Sequence, residues 1–131
     1  MGTRSYIGRK LEDGTIQAVY CHWDGYPDHN GRILASSYNN VSKVDELISL
    51  GDLSSLGEEI GEKHEFFHAP KGICTFYGRD RGEERTGPRT YNTQEDFMKS
   101  ASDSWAEYVY LFDGDWRCWS GDEEIDMAPY V

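Results

Sequence analysis

The chain has 131 residues, a formal net charge of −11 and 14% aromatic residues. This length matches one ordinary domain, and we predict a single domain over residues 1–131. The negative field repels duplex DNA and anionic membranes, so we expect neither as a partner. Because the sequence contains no run of eighteen apolar residues, it predicts no membrane-spanning helix.

The three cysteines indicate a reducing environment. They are widely separated, none belongs to a Cys-x-x-Cys pair, and the N-terminus lacks the apolar run of a signal peptide. An odd number of such cysteines argues against a disulfide framework. We therefore expect a cytoplasmic protein in which the cysteines are core thiols. They are Cys21, Cys74 and Cys118.

The N-terminal part of the chain predicts a hairpin and a first helix. Residues 4–11 and 15–22 flank an Asp-Gly turn at residues 12–14, which is a strong hairpin signal. The loop over residues 22–31 is dense in turn-forming residues. A helix is expected to follow and to end at the Asn39-Asn40 pair. Its apolar positions are Ile33, Leu34 and Tyr38.

A second helix is predicted to begin behind Ser42, which makes a capping box with Asp45. Gly51 fits the position just after the helix end, where the backbone turns left-handed. Residues 52–70 are expected to form an irregular, charged connection. The apolar stripe of this helix consists of Val44, Leu47, Ile48 and Leu50.

The C-terminal half predicts a strand, a helix and a second hairpin. Residues 72–79 alternate as a strand does, and a long loop is expected to reach Asn92. A third helix is predicted over residues 93–102, capped by Thr93, before a hairpin over residues 106–119. The sequence therefore predicts an α+β fold with a mostly antiparallel sheet, a hairpin at each end and two to three helices.

The loop after the first hairpin holds the densest cluster of functional side chains. The rings of Trp23 and Tyr26 could stack a nucleobase or a sugar, with His22 and Asp24 bonding its edge. The alternative is an aromatic plug, in which Trp23 closes the core and His22 caps a helix.

A second candidate site follows the strand that ends in Phe76 and Tyr77. Arg79 and Arg81 can clamp phosphates through paired hydrogen bonds. The alternative is an ion-pair cluster with neighbouring acids, which contributes little at a surface. Four of the thirteen basic residues concentrate in this region, and they are Arg79, Arg81, Arg85 and Arg89.

Other patterns are weaker. Arg117 lies between Trp116 and Trp119, where it can make a cation–π contact, reach a phosphate or form a solvated cross-strand charge. His64 and His68 have a spacing that suits a metal only on a helix, and their context does not predict one. We therefore predict no metal, no organic cofactor and no catalytic residues.

Four segments of the sequence carry a resemblance to known proteins, namely TRSYIG (residues 3–8), VYCHWDGYP (19–27), LGDLSSL (50–56) and FYGRDRGE (76–83). Together they resemble a family of small proteins encoded by bacteriophages and prophages. The resemblance spans roughly residues 1–85 and is looser in the C-terminal hairpin. More narrowly, the pattern is similar to that of the first type of Thoeris anti-defence protein.

This resemblance implies a sponge without enzymatic activity. Members bind cyclised ADP-ribose signals, some also hold cyclic oligonucleotides, and they assemble as homo-oligomers with ligand sites at subunit interfaces. No family site residue is carried over to this chain. The predicted ligand-binding set is instead chosen from aromatic rings for adenine and arginines for pyrophosphate. It comprises Trp23, Tyr26, Phe76, Tyr77, Arg79, Arg81 and Arg117.

Two other functions stay open at the level of sequence. The net charge of −11 suits an acidic protein inhibitor, or a nucleic-acid mimic, that blocks a host defence effector. A phosphodiesterase using His22, Asp24 or His64 is the third possibility, but no paired catalytic motif supports it. The excess of aromatic residues over what so short a chain can bury also predicts a homo-oligomer.

Overall fold

Eight strands form one sheet in the computed structural model, which describes residues 2–131. The order across the sheet is β4-β3-β2-β1-β6-β7-β8, and β5 also pairs with β2. Most of these pairings are antiparallel, which confirms the predicted α+β class. The strands are β1 (Ser5–Lys10), β2 (Ile16–Cys21), β3 (Leu53–Ser55), β4 (Thr75–Phe76), β5 (Arg89–Tyr91), β6 (Tyr108–Phe112), β7 (Trp116–Ser120) and β8 (Glu123–Ile125).

Both predicted hairpins are confirmed. In the first, β1 and β2 pair from Ser5 opposite Cys21 to Lys10 opposite Ile16. In the second, β6 and β7 pair up to Phe112 opposite Trp116. Each tight turn contains a glycine with a positive φ, 88° at Gly14 and 86° at Gly114, a conformation that other residues adopt only at a cost.

Two parallel pairings complete the sheet, and one of them joins the hairpins. β1 runs parallel to β6, with Ser5 opposite Tyr108, so the two hairpins lie side by side although the paired residues are about a hundred positions apart. β2 also pairs in parallel with β3 at Cys21 and Leu53. Because β3 pairs with β4 as well, the loop after β2 lies near the segment that follows β4.

Three helices follow the sequence signals, and a further short helix over Tyr77–Arg81 was not predicted. The second helix begins at Val41 with Asn40 rather than Ser42 as its cap, since the Asn40 side chain accepts the Lys43 N–H at 2.9 Å. The fourth is capped by Thr93 as predicted. The helices are α1 (Arg32–Ser37), α2 (Val41–Ser49), α3 (Tyr77–Arg81) and α4 (Gln94–Asp103), with a π-helical turn at Pro27–Gly31 and a 3₁₀ turn at Ala128–Tyr130.

The predicted strand over residues 72–79 is wrong at both ends. Only Thr75–Phe76 is a strand; residues 72–74 contribute no more than an isolated bridge at Ile73, and after Phe76 the chain turns into α3. The Asp80 carboxylate accepts the backbone N–H of Phe76 at 2.8 Å, a local bond that competes with continued strand pairing. The stretches predicted to be irregular also contain two short strands, β3 and β5.

Helices cover both faces of the sheet and create two apolar cores. On one face, α1 and α2 pack against β1, β2 and β6 around the buried residues Ile7, Val19 and Tyr110. On the other face, α4 packs Phe97 and Ala101 against the sheet. None of the helices within residues 2–131 is long and apolar enough to cross a bilayer.

Candidate functional site

The predicted site residues lie on three parts of the fold. Trp23 and Tyr26 lie in the loop after β2. Four further predicted residues lie on β4 and α3, and one lies on β7. β3 brings the first two parts together, since the N–H of Trp23 donates to Ser54 at 3.0 Å and β4 pairs with β3. The residues on β4, α3 and β7 are Phe76, Tyr77, Arg79, Arg81 and Arg117.

Arg79 serves as an internal clamp. Its guanidinium donates to the carbonyl oxygens of Ile60, Gly61 and Cys74, each at 2.9 Å, and to the carboxylate of Asp80 at 3.0 Å. The side chain is only 13% exposed. Its hydrogen-bonding capacity is thus used within the chain, where it ties the 60–61 segment to β4.

Asp80 and His64 complete this clamp. Burial raises the pKa of Asp80, but hydrogen bonds from Arg79, Phe76 and His64 lower it more, so the net pKa is below its ordinary value. Both ring nitrogens of His64 face carbonyl oxygens, Nε2 that of Cys74 and Nδ1 that of Glu65. Burial lowers the His64 pKa, yet these contacts and Asp80 raise it overall.

The aromatic members of the predicted set differ in accessibility. Phe76 is fully buried in the core and its ring is closed to a ligand in this structure. Tyr26 is exposed, but its hydroxyl donates to Asp24 and its ring pairs with His29 rather than with Trp23. Trp23 is 42% exposed, so the alternative interpretation, in which it closes the core, does not hold.

Trp23 forms the outer end of a row of rings. Its indole meets the His22 ring edge-on, with centroids 4.7 Å apart. The His22 ring lies 5.9 Å from that of Tyr20, which lies 6.0 Å from that of Tyr6. The row thus runs from solvent to the core beneath α4, where Tyr6 contacts Phe97, and this support fixes the orientation of the exposed rings.

Burial, together with the charge of Arg4, sets the protonation of this row. Burial first, and then the positive charge of Arg4, lower the pKa of His22, so its imidazole is neutral at pH 7. Burial raises the pKa of Tyr20 to about 12, despite the opposing effect of Arg4. Tyr20 Oη and His22 Nδ1 are 2.6 Å apart, so the hydroxyl can donate to the neutral imidazole; in that tautomer the ring proton is on Nε2.

Tyr77 and Arg81 border the same row. Tyr77 is close enough to Tyr20 to contribute to raising its pKa. The Arg81 guanidinium lies 4.3 Å from the ring centroid of Phe66 and 5.1 Å from that of Tyr77, and it pairs with Glu83. We call this surface the aromatic-basic face. It is made of Arg4, Tyr20, His22, Trp23, Tyr77 and Arg81.

Arg117 lies away from this face within one chain. β1 and β6 stand between β2 and β7, so three strand spacings, about 14 Å, separate them. Arg117 makes two hydrogen bonds to Glu124, at 2.9 and 2.7 Å, and its guanidinium lies 4.8 Å from the Trp119 ring centroid. Its predicted role is thus compatible only with a contribution from a second subunit.

The cysteines and histidines offer little for other chemistry. All three cysteines are buried, and burial raises the pKa of Cys21 and of Cys118 to about 12. His64 is held by backbone carbonyls, whereas His68 is exposed. Within residues 2–131, no three or more His, Cys, Asp and Glu side chains are grouped so as to hold a metal ion.

Sequence reasoning missed Arg4 and Tyr20 as members of the face. Their signal was the hairpin register, since Tyr6 lies opposite Tyr20 and Ser5 opposite Cys21, and just beyond these pairs the charge of Arg4 acts on His22. Side chains two residues apart on a strand share a face. The alternation of side chains along β2 therefore predicts that Tyr20 and His22 lie on the same face of the sheet.

Comparisons with known proteins found no match for this chain. No protein-family model matches the chain, and neither a curated protein nor a solved structure matches it.

Proposed function

We propose that the aromatic-basic face binds a nucleotide-type anion and that the chain sequesters a cyclic nucleotide signal of the cyclic ADP-ribose type without turnover. The place of action would be the cytoplasm of a host cell. One observation carries the proposal: a row of packed rings that ends in the exposed Trp23 lies beside arginines in a chain whose net charge is −11. A planar base and a phosphate are the ligand groups that such a surface recognises.

Arg4 is the best-placed cation of the face. Of the residues that the structure describes, none forms an ion pair with it, and it is half-buried. Arg81 must exchange its partner Glu83 for a phosphate. Since each member of that pair is 42% exposed, the exchange costs about 1 kcal/mol or less.

His22 supplies a neutral donor for the same ligand. With Nδ1 engaged by Tyr20, Nε2–H is left to bond a carbonyl, a ring nitrogen or a phosphate oxygen. Trp23 presents its indole next to this ring. The face thus combines a stacking surface, a directional donor and two cations.

The affinity expected for one face indicates whether a single chain is enough for tight binding of the ligand. Stacking contributes about 1–3 kcal/mol per base, and a hydrogen bond from a charged group about 1.5–3 kcal/mol. One stacked base and two charged hydrogen bonds from the arginines then give about 4–9 kcal/mol, which reaches the ~8.2 kcal/mol of a micromolar dissociation constant only at its upper end. A nanomolar sponge needs further contacts, which a homo-oligomer would supply by placing Arg117 of a second subunit at the face.

Calorimetric titration with cyclic ADP-ribose isomers and cyclic oligonucleotides tests the proposal. We expect wild-type chain to bind one of them, and Arg4→Ala and Arg81→Ala each to weaken binding about tenfold to a hundredfold. Arg85→Ala is the matched control, because Arg85 is an exposed arginine outside the face. Chromatography after prolonged incubation should recover the ligand intact.

Three results would contradict this function. They are the absence of binding by wild type, unchanged affinity in both face variants, and conversion of the ligand to a new product. In the first case, the acidic-inhibitor function becomes the better account of the chain. In the third case, the chain would be an enzyme and not a sequestering protein.

A further inference from the structure

A second surface lies between α4 and the strands β6 and β7. It is an open groove of about 980 Å³, contributed by elements other than the loop after β2 and α3. Its apolar floor includes Met98, Val109 and Trp119, and the indole of Trp105 borders it. The aromatic-basic face does not use this groove, so its occupant is a separate question.

Trp105 is unusual in both exposure and backbone. Its side chain is 78% exposed, and its φ of 64° lies in the left-handed region just after the end of α4. Glycine occupies the left-handed position after the other helices that end this way, with φ of 88° at Gly51 and 73° at Gly82. A bulky residue there is strained, and such strain is kept mainly where a side chain serves a function.

The groove is rimmed by negative charge. Four carboxylates lie along it, whereas Lys99 is the one basic side chain among its lining residues and is already paired with Asp103 at 3.0 Å. Charge complementarity therefore favours a cationic occupant. The carboxylates belong to Glu95, Asp103, Glu107 and Asp122.

The two indoles suit the same occupant. A guanidinium or ammonium group over an indole face is a favourable contact, and the chain itself makes one, with Arg117 lying 4.8 Å from the Trp119 ring centroid. An incoming cation at Trp105 would find an indole whose surface is mostly free. Met98, half-buried in the floor, offers an adaptable contact for an apolar side chain.

The length of the groove favours a chain segment over a small cation. Glu95 and Asp103 lie eight residues apart on α4, which corresponds to about 12 Å along the helix. An extended segment of four residues covers the same distance, at about 3.3 Å per residue. A small cation would engage only one end of this charge distribution.

We propose that this groove binds an extended, basic segment of a partner protein, in which Arg or Lys side chains alternate with apolar residues. One cationic side chain lies against Trp105 and between the rim carboxylates. The apolar side chains of the segment contact Met98 and Trp119. This gives the chain a protein-docking surface in addition to the nucleotide-binding face.

The probe is an acetylated, amidated peptide of sequence Arg-Leu-Arg-Leu-Arg, titrated calorimetrically into the full chain. Trp105→Gly is the central variant, because it removes the indole and suits the left-handed backbone. We expect its affinity to fall about tenfold while its urea midpoint stays the same or rises. The double variant Glu107→Gln/Asp122→Asn should also weaken binding.

A matched control separates the groove from the net charge of the chain. Glu58→Gln/Glu62→Gln removes two exposed carboxylates outside the groove and should leave the affinity unchanged. Equal weakening by both double variants, or unchanged affinity in Trp105→Gly, would overturn the proposal. It would also be overturned if spermidine bound as tightly as the peptide, or if Trp105→Gly converted an oligomer to single chains, since a second copy would then cover the groove.

Discussion

The replacement Arg79→Ala separates a structural arginine from a ligand-binding one. The variant loses the donors to three carbonyl oxygens and to the Asp80 carboxylate, all around a side chain that is 13% exposed. Breaking a buried, hydrogen-bonded charge pair costs about 3–5 kcal/mol. Arg81→Ala removes an exposed pair with Glu83 and should cost about 1 kcal/mol or less.

Urea unfolding followed by circular dichroism and tryptophan fluorescence measures this difference. We expect the free energy of unfolding of Arg79→Ala to fall by about 3–5 kcal/mol and its melting temperature to fall by about 10–20 °C. Arg79→Lys keeps the charge but loses the planar fork, so it should retain only part of the stability.

A different pattern would refute the clamp. If Arg79→Ala is as stable as Arg81→Ala, the contacts to residues 60, 61 and 74 do not stabilise the fold. If, in addition, Arg79→Ala loses ligand binding while its unfolding curve matches wild type, Arg79 is free to bind phosphate. The original prediction for Arg79 would then be correct.

Three further outcomes are expected from buried groups. The pKa of His64 is raised in the folded state, so protonation of His64 stabilises the fold. This stabilisation is complete below the pKa of His64 in the unfolded chain and is lost as pH rises through its pKa in the folded chain. Urea titrations should thus show a larger stability gap between wild type and His64→Asn at about pH 6 than at about pH 8. Tyr110→Phe removes a 2.6 Å hydrogen bond to the buried carbonyl of Gly25 and should lower the free energy of unfolding by about 1–3 kcal/mol, measured in urea; an unchanged midpoint would contradict this bond. The cysteines are buried and their pKa values raised, so a thiol reagent should label native chain far more slowly than urea-unfolded chain; equal rates would contradict that burial. They are Cys21, Cys74 and Cys118.

Local chemistry in the sequence determined the hairpins and the best-defined helix. Gly14 and Gly114 supply the left-handed turn residues that close the two hairpins. Thr93 caps α4 through its own side chain, and Gly51 ends α2 in the left-handed conformation. In each case the stabilising contact joins residues at most four positions apart, so the sequence alone is enough to predict it.

Tertiary pairing decided where the strands lie. The parallel contact of β1 with β6 joins segments about a hundred residues apart, and no local signal encodes the choice of partner. The short strands β3 and β5 exist because β2 offers them an edge. The residues of β3 have little strand preference, and β5 contains the strand formers Thr90 and Tyr91 but is only three residues long. Asp80 ends β4 early through a local bond from the Phe76 N–H, but the same carboxylate also accepts the N–H of His64, sixteen positions away.

The roles of the arginines were also decided by tertiary structure. Arg79 and Arg81 are two positions apart in one charged segment, so the sequence does not distinguish a structural arginine from a ligand-binding one here. The fold turns Arg79 inward to carbonyl oxygens of residues 60, 61 and 74 and leaves Arg81 over the rings of Phe66 and Tyr77. Hydrogen-bond partners that are distant in sequence, rather than residue type, determine which arginine remains accessible to a ligand.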